Sequence, residues 1–317
     1  MNNLTNQLKE LHEATINNLK SAKSANTLRA YKSDFKDFDI FCKKHGFKSL
    51  PTEPKVVSLY LTYLSNNSKI STLRRRLVSI GMVHKFKELY FDTKHPSIVE
   101  NLMGIRRSKG SFQKGKRPIL IDHLKSLINI IDKQKINNLV KLRDKSILLI
   151  GFCGGFRRSE LVSINHEDLE FVSEGLKIRV NKSKTDQFGE GMIKGLPYLE
   201  NEVYCPVVNL KKWLDKSKIK TGSIFRSFLK GSLLSNRRLS DQTIALLIKK
   251  YFSLVGTDNT DFSAHSLRSG FATVTAGAGA DERSIMSMTG HKTTQMVRRY
   301  IKEANVFKNN ALNKIKI

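Results

Sequence analysis

His265-Ser266-Leu267-Arg268 sets an imidazole and a guanidinium one helical turn apart on the same face, a spacing that can hold one phosphate between them. Gly290-His291 follows, and Tyr300 lies nine residues beyond His291, behind two arginines in the run MVRRY. A phenol is a poor nucleophile near neutral pH, because its reference pKa is about 10. It becomes credible only beside cations that stabilise charge on the attacking oxygen and on a phosphate. Each feature has a plain alternative: most HxxR pairs are surface pairs, and a tyrosine at helical spacing from Met296 and Val297 is normally a core residue. Their occurrence together is what points to phosphoryl transfer.

The elements that must position these groups are mostly helices. From Thr27 to Gly46 the apolar residues Leu28, Tyr31, Phe35, Phe38 and Cys42 recur at spacings of three and four, which predicts an amphipathic helix closed by Gly46. Further helices are expected from Thr52-Glu53-Pro54 through Leu64, from Ser71 with Leu73, Leu77 and Ile80 inward, and from about Pro96. The third carries Lys69, Arg74, Arg75 and Arg76, and the fourth ends in Arg106, Arg107 and Lys109, so one side of the bundle could follow a phosphate backbone. A solvated helix face explains any single one of these cations equally well.

The segment KGSFQKGKRP reads as a basic linker, with two glycines, a proline and four cations. Beyond it, helical patterns over Asp122–Asp132 and Leu139–Gly151 precede the alternation Leu176, Ile178, Val180. A turn-rich KSKTDQFGEG and the run Met192–Leu196 follow, which predicts a β-hairpin. Helices are then expected around Trp213, from Ser240 to Leu254, behind a Ser263 cap for the HxxR pair, and from Asp281. The fold class is thus α+β and mainly helical. A helical bundle occupies residues 1–108, a linker 109–118, and a mixed domain with a small hairpin sheet 119–317. The last segment, Glu303–Ile317, sets Val306, Phe307, Leu312 and Ile315 beside lysines in an amphipathic pattern.

The 317 residues include 56 Lys and Arg against 28 Asp and Glu, a formal net charge of +28 that suits a polyanionic partner, nucleic acid first. Ribosomal and membrane-surface proteins can share such a balance, so it supports a function without naming one. Cys42, Cys153 and Cys205 stand isolated, without CxxC or Cys-His spacing, and read as small buried residues in a reducing compartment. The N-terminus has no apolar core like that of a signal peptide, and the run Ser146–Phe156 is too short for a bilayer, so a cytoplasmic protein is expected. There is no GxxxxGK[ST] loop for a triphosphate and no carboxylate cluster spaced for two-metal chemistry. Neither cofactor nor metal is expected.

GGFRRSEL at 154–161, the hairpin SKTDQ, HSLRSGFA, TGHK and VRRY occur in the order seen in the tyrosine recombinases, which this chain resembles over essentially its whole length. SANTLRAY and the bundle that follows resemble the family's core-binding domain. The resemblance implies a site-specific recombinase or integrase that acts on double-stranded DNA as a homotetramer joined through C-terminal tails. It assigns Arg157 as the first catalytic arginine and Glu160 as its acidic brace. Arg158, where the family usually has an apolar residue, leaves the register open by one. It further assigns Lys184 as the mobile lysine, and His265, Arg268, His291 and the nucleophile Tyr300 as the rest of the set. A bacterial, phage or plasmid origin goes with the family, and the short stretch before Ser24 disfavours the type that also binds arm sites.

The chemistry implied is coherent. Attack by Tyr300 passes through a pentacoordinate phosphorane whose extra charge Arg157 and Arg268 can meet with forked donors. Lys184 is the candidate to protonate the departing 5′ oxygen, His265 to accept the tyrosine proton, and His291 to bond a phosphate oxygen. A type IB topoisomerase uses a similar set, and a DNA-binding protein that has lost catalysis is a reading of another class.

Overall fold

Alternating apolar faces become two separate cores in a computed structural model that describes residues 2–110, 115–181, 191–307 and 311–315. The chain divides into two units, Met1–Lys114 and Gly115–Ile317. The division falls inside the segment read as a linker, of which 111–114 lie outside the described residues.

The first unit holds α1 (Asn2–Ser21), α2 (Ala25–Lys44), α3 (Pro54–Ser65), α4 (Ile70–Phe86) and α5 (Pro96–Lys109). The sequence reading did not anticipate α1, whose Leu8 and Leu11 are exposed. Ser24 caps α2 by accepting the Thr27 N–H at 3.2 Å, and Pro54 and Pro96 open α3 and α5, where a missing N–H costs nothing. Phe38 and Cys42 from α2 meet Val57, Tyr60 and Leu61 from α3, Leu73 and Ile80 from α4 and Ile98 from α5, all fully buried. The inward set Leu73, Leu77 and Ile80 is as expected. Asp34, itself buried, bonds the Arg75 guanidinium and the Ser79 hydroxyl, and pairs with Arg76 at 3.4 Å. Arg76 also reaches Asp37 at 3.2 Å, and the Tyr60 hydroxyl donates to Asp37 at 2.6 Å.

The second unit is built on α6 (Ile121–Lys133), α7 (Asn138–Cys153), α8 (Arg158–Ser163), α9 (Pro206–Ser217), α10 (Asp241–Val255), α11 (His265–Gly277), α12 (Glu282–Thr289) and α13 (Thr294–Ala304). Its strands are β1 (Leu169–Val172), β2 (Gly175–Val180), β3 (Met192–Pro197), β4 (Arg226–Phe228) and β5 (Leu234–Arg238). The interior of α7 carries Arg143, Asp144 and Lys145 into the core, which is tolerable because each is paired. Arg143 binds Asp144 at 2.7 Å, Tyr251 donates to Asp144 at 2.7 Å, and Lys145 reaches Asp132 at 2.9 Å. Trp213 is fully buried and donates from Nε1 to the Ile224 carbonyl at 2.9 Å.

The expected hairpin is the β2–β3 pair of an antiparallel sheet ordered β1-β2-β3, in which Ile178 lies opposite Lys194 and Leu176 opposite Leu196. β1 was not foreseen, and neither was the β4–β5 pair between α9 and α10, where a return to helices was expected. β4 and β5 are short and carry arginines, without the alternation that marks a half-buried strand. The Ser263 side chain does not cap α11: its backbone N–H donates to the Ser266 hydroxyl at 2.9 Å, and Ala264 precedes the helix. After α13 the expected amphipathic run gives turns and one short 3-10 segment, Ala311–Lys314. There Val306, Phe307, Leu312 and Ile315 are exposed, Phe307 to 84%. No helix among the described residues is long and apolar enough to cross a membrane.

Candidate active site

Arg157 sits immediately before α8, where Glu160 turns back to bond its backbone N–H at 3.0 Å and grips its guanidinium as well. The other end of that guanidinium donates to the Gly290 carbonyl at 3.2 Å, so Arg157 is fixed from two sides. Arg158 points elsewhere and pairs with Asp241 on α10 at 3.0 Å. Arg157 thus joins the cluster around Glu160 and Gly290, and Arg158 does not.

Arg268 is drawn in from α11. It is only 1% exposed, and one guanidinium nitrogen donates to the Gly155 carbonyl at 2.9 Å. Gly155 has φ of 54°, a left-handed conformation that glycine enters without penalty, and it aims that carbonyl at the arginine. The other nitrogen, Nη2, is buried and has no hydrogen-bond partner among the described residues. Burial, reinforced by Arg157, lowers the Arg268 pKa to about 10. An unpaired charged donor of this kind costs free energy until an acceptor arrives.

Gly290, with φ of 63°, ends α12 in a left-handed turn and delivers His291 into the same region. His291 Nδ1 lies 2.7 Å from the Thr289 hydroxyl, whose own proton is engaged with the Ile285 carbonyl at 2.6 Å. Thr289 can therefore only accept, so Nδ1 carries the imidazole proton and Nε2 is left with a lone pair. Burial first, then Arg268 and Arg157, pushes the His291 pKa down to about 4. His265, exposed at the start of α11, is lowered too, by partial desolvation and then by Arg268 and Arg157.

Tyr300 is half-buried on α13, its ring centroid 6.1 Å from that of His291. It packs against a small cluster of Ala272, Ala276, Ile285 and Val297, separate from the main core of the unit. Burial raises its pKa, while Arg268 and Arg299 pull it back. Five of the six expected catalytic residues, together with Glu160, thus belong to one neighbourhood. Lys184, the sixth, lies outside the described residues.

Sequence reasoning missed Lys194. It stands on β3 with no exposed surface, donates to the Gly154 carbonyl at 2.8 Å and lies 3.9 Å from Glu160 Oε2. Its register with Ile178, between the inward positions of Met192 and Leu196, was the available signal. Among the described residues no group of three or more His, Cys, Asp or Glu is arranged to hold a metal ion. In the first unit Lys69, Arg74, Arg106 and Arg107 are exposed, whereas Arg75 and Arg76 are engaged by Asp34.

Residues 119–305 match the model of the phage integrase family. The chain is 42% identical over 300 residues to an integrase/recombinase XerD homolog of Selenomonas ruminantium, covering 94% of this chain and 87% of that protein. It is 29% identical to the tyrosine recombinase XerC of Thermodesulfovibrio yellowstonii, covering 89% of this chain and 88% of that one. Among solved structures, a XerH site-specific recombinase bound to difH in a pre-cleavage complex superposes with a TM-score of 0.62 at 14% identity, over 89% of this chain and 79% of that one. The Tn1549 transposon integrase with circular intermediate DNA gives 0.61 at 14% identity, over 90% and 92%.

Proposed function

Because this chain belongs to the phage integrase family and is a tyrosine-type site-specific recombinase, we propose that it cleaves and rejoins double-stranded DNA through a 3′-phosphotyrosyl intermediate at Tyr300, with neither ATP nor metal. The observation that carries this reading is the buried Arg268 Nη2, a charged donor without an acceptor in a cluster that also holds Arg157, His291 and Tyr300. A scissile phosphate supplies the missing acceptor.

The Tyr300 oxygen attacks phosphorus, the P–O5′ bond breaks, and the phosphate becomes esterified to the tyrosine. The phenolic proton passes to His265, whose pKa partial desolvation first and then its cationic neighbours lower, so that it is able to accept. Lys184 gives its proton to the departing 5′ oxygen. Arg157 and Arg268 hold the equatorial oxygens, and Glu160 holds Arg157. For His291 to donate from Nε2 to a phosphate oxygen it must gain a proton as the anion arrives, since Nδ1–H is committed to Thr289. Bond energy is conserved in the tyrosyl ester, so a 5′ hydroxyl from another strand can reverse the step.

In this reading residues 1–108 form the core-binding domain, 109–118 the linker and 119–317 the catalytic domain. Lys69, Arg74, Arg106 and Arg107 contact phosphates as exposed cations, and Arg75 and Arg76 do so only with whatever charge Asp34 leaves them. The exposed Val306, Phe307, Leu312 and Ile315 support docking of the tail on a neighbouring protomer in a tetramer.

The test is direct. A duplex selected by its binding to the Tyr300→Phe protein, then nicked near the contact site, is incubated with wild type in chelator and without nucleotide. A denaturation-resistant, protease-sensitive adduct that Tyr300→Phe fails to form is the expected result. Normal adduct formation by Tyr300→Phe would sink the assignment.

A further inference from the structure

A buried ammonium costs several kcal/mol of desolvation, and an apolar side chain at this inward position of β3, such as Leu196 two residues on, buries without that cost. Lys194 therefore needs a reason, and its neighbours supply one. Its Nζ bonds the Gly154 carbonyl at 2.8 Å, and the next carbonyl, that of Gly155, receives Arg268 at 2.9 Å. The same Nζ lies 3.9 Å from Glu160 Oε2, the oxygen that accepts the Arg157 N–H at 3.0 Å. The Phe156 ring, between these two anchors in sequence, lies 4.1 Å beneath the ammonium.

We infer that Lys194 is a positioning residue: one buried ammonium on β3 fixes both the Gly154-Gly155 turn that aims Arg268 and the Glu160 carboxylate that aims Arg157, so both arginines meet one phosphate in register. This rests on the phosphotyrosyl reading above and adds to it a residue outside the expected catalytic set. Burial, with Arg268 and Arg157, brings the Lys194 pKa down to about 7 against the pull of Glu160, and an N–H of Nζ donates to the Gly154 carbonyl in either protonation state.

The role is tested by changing the phosphate as well as the protein. Adduct formation is followed in single turnover at saturating protein, on a nicked duplex with an ordinary scissile phosphodiester and on one with a methylphosphonate there. The methyl group replaces a non-bridging oxygen and its charge, which is what the arginines are placed to stabilise. Lys194→Met is expected to slow cleavage of the phosphodiester by about 100-fold, as small misplacement of charged groups does, and that of the methylphosphonate by less than about tenfold. An equal loss on both substrates would mark Lys194 as merely structural, and wild-type rates would remove its role altogether; either overturns the inference. Should Lys194→Met fail to fold, Lys194→Gln, which keeps an N–H donor, is compared on the same two duplexes, and the same rate patterns support or overturn the role. If wild type forms no adduct on either duplex, the phosphotyrosyl reading fails and this inference falls with it, an outcome distinct from failure of the variant alone.

Discussion

Two charged clusters, one in each unit, resemble each other in composition and differ in balance. Around Asp34, two arginines meet two carboxylates and a serine hydroxyl, and Asp37 also accepts from Tyr60. Around Glu160, Arg157 and Lys194 share one carboxylate, Arg268 feels it only through its field, and an Arg268 guanidinium nitrogen has no partner among the described residues. The first cluster matches two arginines with two carboxylates, so its charges balance within the fold even though Arg76 Nε has no hydrogen-bond partner among the described residues. The second carries surplus positive charge among the described residues, and under the proposed function a scissile phosphate is what balances it.

The largest expected effect is at the unbalanced cluster. Arg268→Met should reduce covalent-adduct formation by roughly 10²- to 10³-fold, as losing a charge-stabilising donor does, while DNA-free protein melts no lower than wild type. A clear fall in Tm with near-normal cleavage would reverse the roles assigned to the two clusters. At the balanced cluster, Asp34→Asn should destabilise the first unit by about 2 kcal/mol, a value discounted because Arg75 is half exposed, and denaturant unfolding would measure it. No change there would mean that its charges do not serve folding.

A smaller effect comes from pH. His291 is held near a pKa of about 4 when folded against an ordinary 6.5, so below 6.5 the unfolded chain binds a proton that the folded one excludes. Its contribution to stability is complete above pH 6.5 and is lost progressively as pH falls toward 4. The fall in Tm between pH 7.5 and 4.5 should be shallower for His291→Gln than for wild type, and identical slopes would show that the buried imidazole is not the group responsible.

Helices with strong apolar stripes were legible in the sequence, because burial on one face repeats every three or four residues: Phe38 and Cys42 in α2, Leu73 and Ile80 in α4. The proline starts were equally readable. In α1 the described apolar residues Leu8 and Leu11 are exposed, and β4 and β5 were too short and too charged to alternate visibly. In the site, motif order brought out Arg157, His265, Arg268, His291 and Tyr300, but the partners that fix them are products of tertiary geometry. Nothing local in the sequence marks Asp34 as the carboxylate that claims Arg75 from 41 residues away. Lys194 looked like any strand lysine until its register with Ile178 put it on the buried face.

Tyr300 rides on little of this architecture. Its helix α13 packs its own Val297 with Ala272, Ala276 and Ile285, beside the partly buried Met286, while the arginines and lysine are tied into the main body of the unit. Lifting α13 thus sacrifices a small fraction of the unit's cohesion, and local opening of such a segment costs far less than global unfolding. Under the proposed function, a displacement of α13 withdraws Tyr300 while Arg157, Arg268 and Lys194 keep their anchors.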